Sequence, residues 1–207
     1  MRVLRRASLS LAVLAALGGG GCSSAAPRQP TPTATPATSQ QAVRFDKALH
    51  DELVGMLERD QAELNGVPQT DTAEQRTARL KEIIEKHGWP TFDLVGKDGE
   101  NAAWAIAQHS DLDLAFQQQA LELLRAAVAR GQASPGNLAY LEDRVAVAKG
   151  EPQTYGTQMR CGPDGPAPTT PIRDEAGVDK RRAAAGLDPL AEYRTEMTRI
   201  CAEDESQ

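Results

Sequence analysis

From Phe45 the chain sets apolar residues three and four positions apart, at Phe45, Leu49, Leu53, Met56 and Leu57, which predicts an amphipathic helix running to about Leu64. Thr72, with Gln75 three residues on, is a capping-box pattern that opens a second helix through Leu80, Ile83 and Ile84, stopped by Gly88. Trp89-Pro90 then turns the chain. Gly96-Lys97-Asp98-Gly99 reads as a further turn, because it lacks the glycine spacing and the Lys-Ser/Thr pair of a phosphate loop. A third helix is expected from Asn101 to Gln108, and a fourth from Leu112 to Arg130, capped by Ser110 or Asp111 and ended by Gly131. Ser134 followed by Pro135 is an N-cap with proline at the first helical position, and the fifth helix carries Leu138, Leu141, Val145 and Ala148 on one face as far as Gly150. So few residues separate the fourth and fifth helices that they should pair as an antiparallel hairpin.

The helical period then breaks. Residues 154–160 and about 168–173 read as two short extended segments around CGPDGPAP, a small β-hairpin near residues 154–173. Val178 to Ala185 is helical again, and Asp188-Pro189 opens a last helix through Leu190, Tyr193, Met197 and Ile200. The expected fold is mainly α: a single multi-helix domain with one small hairpin. With aromatics at only 4% of 207 residues, its core must be built from Leu, Ala, Val and Ile around anchors such as Trp89, Trp104 and Phe116.

The N-terminus has a different pattern. MRVLRR is basic, Ala7 to Leu17 is an apolar run of about 11 residues, and GGGGCSS follows, the order of a secretory signal. A membrane span needs roughly 20 apolar residues, so this run is too short to be one. Gly21-Cys22-Ser23-Ser24 resembles the end of a lipobox, with Gly19 where that pattern has leucine. The resemblance implies cleavage before Cys22 and a lipid on its sulfur; the alternative is a plain secretory signal that leaves a free Cys22 thiol. The chain therefore divides into a signal over 1–21, a lipidated Cys22 with a Pro/Thr/Ala-rich tether over 22–42, and a helical domain over 43–207. The tether cannot bury enough surface to fold. This places the domain outside the cytoplasmic membrane, in the periplasm or on the cell surface, with the membrane itself as a partner through the lipid. In that oxidising compartment the two remaining cysteines, Cys161 and Cys201, are expected to form a disulfide. The formal net charge of −6, with no concentrated basic face, argues against nucleic acid.

Candidate chemistry rests on scattered polar residues. His109 and Asp111 fall where the third helix meets the fourth: His109 is either a general base oriented by a carboxylate or a side chain bonded to a loop carbonyl, and Asp111 either serves it or caps the next helix. Asp143 and Arg144 are adjacent on the fifth helix and point about 100 degrees apart, so they do not simply pair with each other. Arg144 is either an anion clamp or a structural ion pair with Asp179 or a helix-end carbonyl. Arg181 and Arg182 are either a solvated helix end or an anion-binding patch. In the uncharged run QTYGTQ, strand alternation would separate Tyr155 and Thr157 from Thr154 and Gln158, so that one face could meet a ligand. The three histidines, His50, His87 and His109, come with no HExxH, no CxxC and no calcium-loop spacing, so neither a metal nor any other cofactor is expected.

HGWP at 87–90, LVG at 94–96, QHSD at 108–111, LEDRV at 141–145, QTYGTQ at 153–158, VDKRR at 178–182 and GLDPLAEY at 186–193 together resemble the bacterial domain of unknown function 6624. The resemblance covers Leu49 to Tyr193. It implies one domain and a shared purpose for these polar residues, and it brings no activity with it. Two functions are compatible with the residues. One is a binding or interaction module in which His109, Arg144, Tyr155 and Gln158 hold a polar or anionic envelope ligand, or whose surface docks a protein. The other is a hydrolase-like enzyme with His109 as base and Arg144 or Arg181 stabilising negative charge.

Overall fold

A computed structural model describes residues 45–204; the expected signal segment, Cys22 and the tether lie outside these residues. The helical period is realised among the described residues as seven α-helices: α1 (Lys47–Leu64), α2 (Ala73–His87), α3 (Phe92–Gln108), α4 (Leu114–Ala129), α5 (Pro135–Ala148), α6 (Val178–Ala184) and α7 (Leu190–Asp204). Local signals set most of the helix ends. Thr72 and Gln75 close a reciprocal capping box, Ser134 accepts from Asn137 N ahead of Pro135, and Gly88 ends α2 at a φ of 72°. None of the seven is long and apolar enough to cross a membrane.

α3 runs through the middle of the helical layer, packed on α1, α2, α4 and α5. Its buried alanines, Ala102, Ala103 and Ala107, let the neighbouring backbones approach closely. Leu53 and Met56 of α1, Leu80 and Ile83 of α2, Phe116 and Leu124 of α4, and Leu141 of α5 close over it, and α4 packs on α5 as expected. Trp89 and Phe116 are buried anchors, whereas Trp104 is partly buried at the edge of the core.

The third and fourth helices depart from expectation. α3 begins at Phe92, nine residues earlier than the expected Asn101, and Gly96 interrupts it with φ 75° and ψ 174°. The run Gly96-Lys97-Asp98-Gly99 is therefore a break and restart inside a helix. Glycine suits this break because of its positive φ; the nearest atom to a β-carbon there, Asp98 Oδ1 at 2.9 Å, is the end of an exposed side chain that can move aside. α4 is capped by Asp113, which accepts from Phe116 N at 3.0 Å. Ser110 and Asp111 are not the cap: Asp111 is held by Arg144 and Gln117, and the Ser110 hydroxyl bonds Ile106 O.

Beyond α5 the construction changes from apolar to polar. The sheet is two antiparallel strands of two residues each, β1 (Met159–Arg160) and β2 (Ala167–Pro168), within the expected hairpin region. QTYGTQ is not an alternating strand, because its backbone wraps around a buried carboxylate. Asp143 of α5, fully buried, accepts from the backbone N–H groups of Thr154, Tyr155 and Thr157 and from the Thr157 hydroxyl, at 2.6 to 3.2 Å. The Gln153 side chain closes the loop by accepting from Gln158 N at 2.8 Å and donating to Gln158 O at 3.0 Å. Gly156, at φ 68°, carries the turn between them; a β-carbon there would lie 2.5 Å from Ile172 Cδ1. The outward carbonyls are taken by Arg181 at Thr154 O, Arg182 at Tyr155 O and the Tyr193 hydroxyl at Thr157 O. Burial drives the Asp143 carboxyl above its ordinary range, against the pull of the four donors around it. The Cys161–Cys201 disulfide ties the hairpin to α7.

A second buried carboxylate, Glu100 of α3, receives Trp89 Nε1 at 3.3 Å and Asn137 Nδ2 at 3.2 Å, and burial pushes it up to about 7. A folded-state value above the unfolded one means that its contribution to stability is complete below about pH 4.5 and is lost as pH rises through 7. Between pH 5 and 8 the wild type should thus lose on the order of 2 kcal/mol that Glu100→Gln does not. Urea midpoints measured across that range would test this, and parallel curves for the two proteins would refute it.

Candidate functional site

Three elements place polar groups around one cavity of about 270 Å3. α2 contributes Thr77, Ala78 and Lys81, and the α3–α4 connection contributes His109, Ser110, Asp111, Leu112 and Asp113. Behind the imidazole stands the third element, α1, through Asp60. The His109 Nδ1 to Asp60 Oδ2 distance is 2.6 Å, and Asp60 is 4% exposed. A carboxylate accepts only, so Nδ1 carries the proton and Nε2 is the imidazole's second functional atom; Nε2 has no partner among the described residues. Backbone geometry fixes the ring as well, because His109 is the C-cap residue of α3 and its N–H reaches Ala105 O.

Asp60 is held by the interior in turn. Arg76 of α2, 2% exposed, lies 3.7 Å from Asp60 Oδ1 and also binds Asp71 and Glu63. This buried arginine helps fix Asp60 in place, so the pair His109–Asp60 is preorganised from below.

Lys81, Asp111 and Asp113 around the cavity are paired locally, while Glu74 in the first turn of α2 lines it without an ion pair among the described residues. Lys81 pairs with Asp113, whose carboxyl it holds below the usual range. Asp111 is gripped by the Arg144 fork, with Nε at 2.8 Å. The hydroxyls are also committed: Ser110 donates to Ile106 O at 2.7 Å, so Thr77 is the donor in its 2.8 Å contact with Ser110. Neither hydroxyl proton is available to the imidazole, and no lining serine or threonine forms a nucleophile–base pair with His109. Ala73, Ala78 and Leu112, the last 88% exposed, supply an apolar wall.

The structure thus brings His109 and Asp111 to one cavity and draws Arg144 to its edge. Arg144 does not reach Asp179; it spans from Asp111 to Gln158 Oε1, 3.1 Å away, and so links the cavity loop to QTYGTQ. Asp179 instead accepts from Leu190 N. Asp143, Tyr155, Gln158 and Arg181 belong to the polar network beneath α6 and α7. There Arg181 holds Thr154 O and the carbonyls of Arg173 and Asp174. Arg182 is buried rather than solvated, bonded to Asp188 O and Tyr155 O and stacked 5.0 Å from the Tyr193 ring centroid.

Three site residues carry no motif: Asp60, Thr77 and Lys81. A signal for Asp60 was present, since Leu49, Leu53, Met56 and Asp60 follow the buried-face spacing of α1 and mark it as an acid turned inward. Among the described residues no three His, Cys, Asp or Glu side chains group to hold a metal ion.

A family model described as "Family of unknown function (DUF6624)" matches residues 46–201. No curated protein and no solved structure gives a match.

Proposed function

Because the chain belongs to the family of unknown function DUF6624, which supplies no activity, we propose from the geometry that it is a binding module for a small polar ligand. The ligand would be received in the cavity between α2 and the α3–α4 connection. The observation that carries this reading is the His109–Asp60 pair: a preorganised imidazole whose second nitrogen is unpartnered on a cavity with an apolar wall. A ligand hydroxyl can donate to Nε2 while its carbon skeleton lies against Ala73, Ala78 and Leu112. With Lys81 and Asp111 already paired, the site favours an uncharged ligand over an anionic one.

The module is proposed to work outside the cytoplasmic membrane, carried on a lipid at Cys22 with an extended tether. The basic and apolar order of the N-terminus supports this, as does the Cys161–Cys201 disulfide, a bond at home in an oxidising compartment.

The same pair supports a second reading, a hydrolase in which His109 activates water. Arg144 and Arg181 are committed to Asp111 and to backbone carbonyls, so the pair must act there without either as an anion stabiliser.

Titration of the full chain with simple sugars and short alcohols, followed by NMR of the histidine rings, separates these readings. Saturable movement of the His109 resonances that disappears in His109→Ala is the result expected of the module. Probes that shift other residues while leaving His109 unmoved would overturn it. Turnover of chromogenic esters lost in both His109→Ala and Asp60→Asn would favour the hydrolase instead.

A further inference from the structure

A second cavity, of about 320 Å3, opens between α5, the α6–α7 connection and α7, and is lined by Tyr140, Arg182, Asp188, Glu192, Tyr193 and Glu196 among others. Its chemistry is unlike that of the first. Arg182 lies at its base, 1% exposed, and among the described residues it has no carboxylate partner. A buried guanidinium is costly unless its N–H groups are satisfied. Of the five such groups an arginine carries, one at Nε is given to Asp188 O and one at Nη1 to Tyr155 O, and Nη2 has no partner among the described residues. The Tyr193 ring fixes the guanidinium plane from one side and is itself held edge-on by Tyr140.

Opposite this cation stand Glu192 and Glu196, one turn apart on α7, together with Asp188. All three residues are exposed, and none of their carboxylates has an ion pair among the described residues. One buried positive charge thus faces three carboxylates at the mouth. A simple anion would be repelled at the entrance, and a simple cation would meet the guanidinium inside. A ligand that carries both charges satisfies both ends: its carboxylate bonds Nη2 of Arg182, and its ammonium group sits among Glu192, Glu196 and Asp188.

We infer that this cavity is an amino-acid-binding site, distinct from the His109 cavity. The excess of carboxylates ranks its ligands: a diamino acid binds tighter than a neutral amino acid, and an acidic one binds weakest.

Calorimetric titration of the full chain with L-lysine, L-alanine, L-glutamate, acetate and butylamine tests the inference. Lysine is expected to bind about tenfold tighter than either acetate or butylamine, with alanine between, and glutamate is expected to bind weakest of the amino acids. Arg182 also holds two backbone carbonyls, so its replacement risks the fold. The informative variant is Glu192→Gln with Glu196→Gln on the exposed face of α7, which should weaken lysine about tenfold while leaving thermal unfolding unchanged. His109→Ala should leave lysine binding intact. The inference is overturned if lysine gives no heat up to about 10 mM, if acetate or butylamine matches it, if the double variant binds as well as wild type, or if His109→Ala abolishes the binding.

Discussion

Asp143→Ala should cost the domain on the order of 4 kcal/mol, since it removes one acceptor from three buried or part-buried backbone N–H groups and a hydroxyl at once. The carboxylate is fully buried, and Thr157, one of its donors, is 3% exposed, so water cannot readily replace it. The loss reaches further than the loop. The carbonyls of Thr154 and Tyr155, held in place by those N–H contacts, are the groups on which Arg181 and Arg182 anchor α6. Asp143→Asn should fall between wild type and alanine, because an amide keeps one accepting oxygen and turns an N–H against the remaining donors. Urea unfolding of the three proteins measures the series. A loss below about 1 kcal/mol for alanine would mean that the loop finds other acceptors, and the description of Asp143 as its nucleus would fail.

Removing the disulfide is expected to have a comparable effect by a different route. Cys161 and Cys201 are 40 residues apart, and closing a loop of that length lowers the entropy of the unfolded chain by about 4 kcal/mol in the chain-entropy model. The segment it encloses holds β2, α6 and most of α7, which contribute little to the main apolar cluster and are fastened to the QTYGTQ loop by Arg181, Arg182 and Tyr193 donating to backbone carbonyls and by Gln153 donating to Thr170 O. Such a segment depends on the cross-link more than α1 to α5 do. The clean comparison is the Cys161→Ala, Cys201→Ala double variant against wild type in urea, without and with reductant. Wild type in reductant should coincide with the double variant. If reductant leaves the wild-type midpoint unchanged although both thiols have become free, the network alone holds the segment.

How the two halves of the domain are built explains which features could be read in advance. In α1, α2 and α5 the apolar period, the Thr72–Gln75 box and the Ser134-Pro135 start are all local, spaced by the geometry of a single helix, so sequence alone places them within a residue or two. α3 is harder to read because Gly96 and Gly99 are turn residues by composition, yet the helix, broken at Gly96, restarts at once against the packed α1 surface. The α4 cap was misplaced for a related reason. Ser110, Asp111 and Asp113 are all competent caps, and long-range bonds to Arg144 and Gln117 take Asp111 out of contention.

The sequence by itself determined the mainly helical class, the hairpin after α5, the Cys161–Cys201 pair and the list of polar residues that had to be explained. Each of these follows from spacing along one element or from residue type. Only the tertiary structure decided which partners those residues meet: Asp60 behind His109, 49 positions away; Asp111 rather than Asp179 for Arg144; and the QTYGTQ backbone around Asp143. A carboxylate or guanidinium leaves no period in the sequence to announce its partner. Among many acids in the chain, the one that matters is the one that folding brings within about 3 Å of a buried donor.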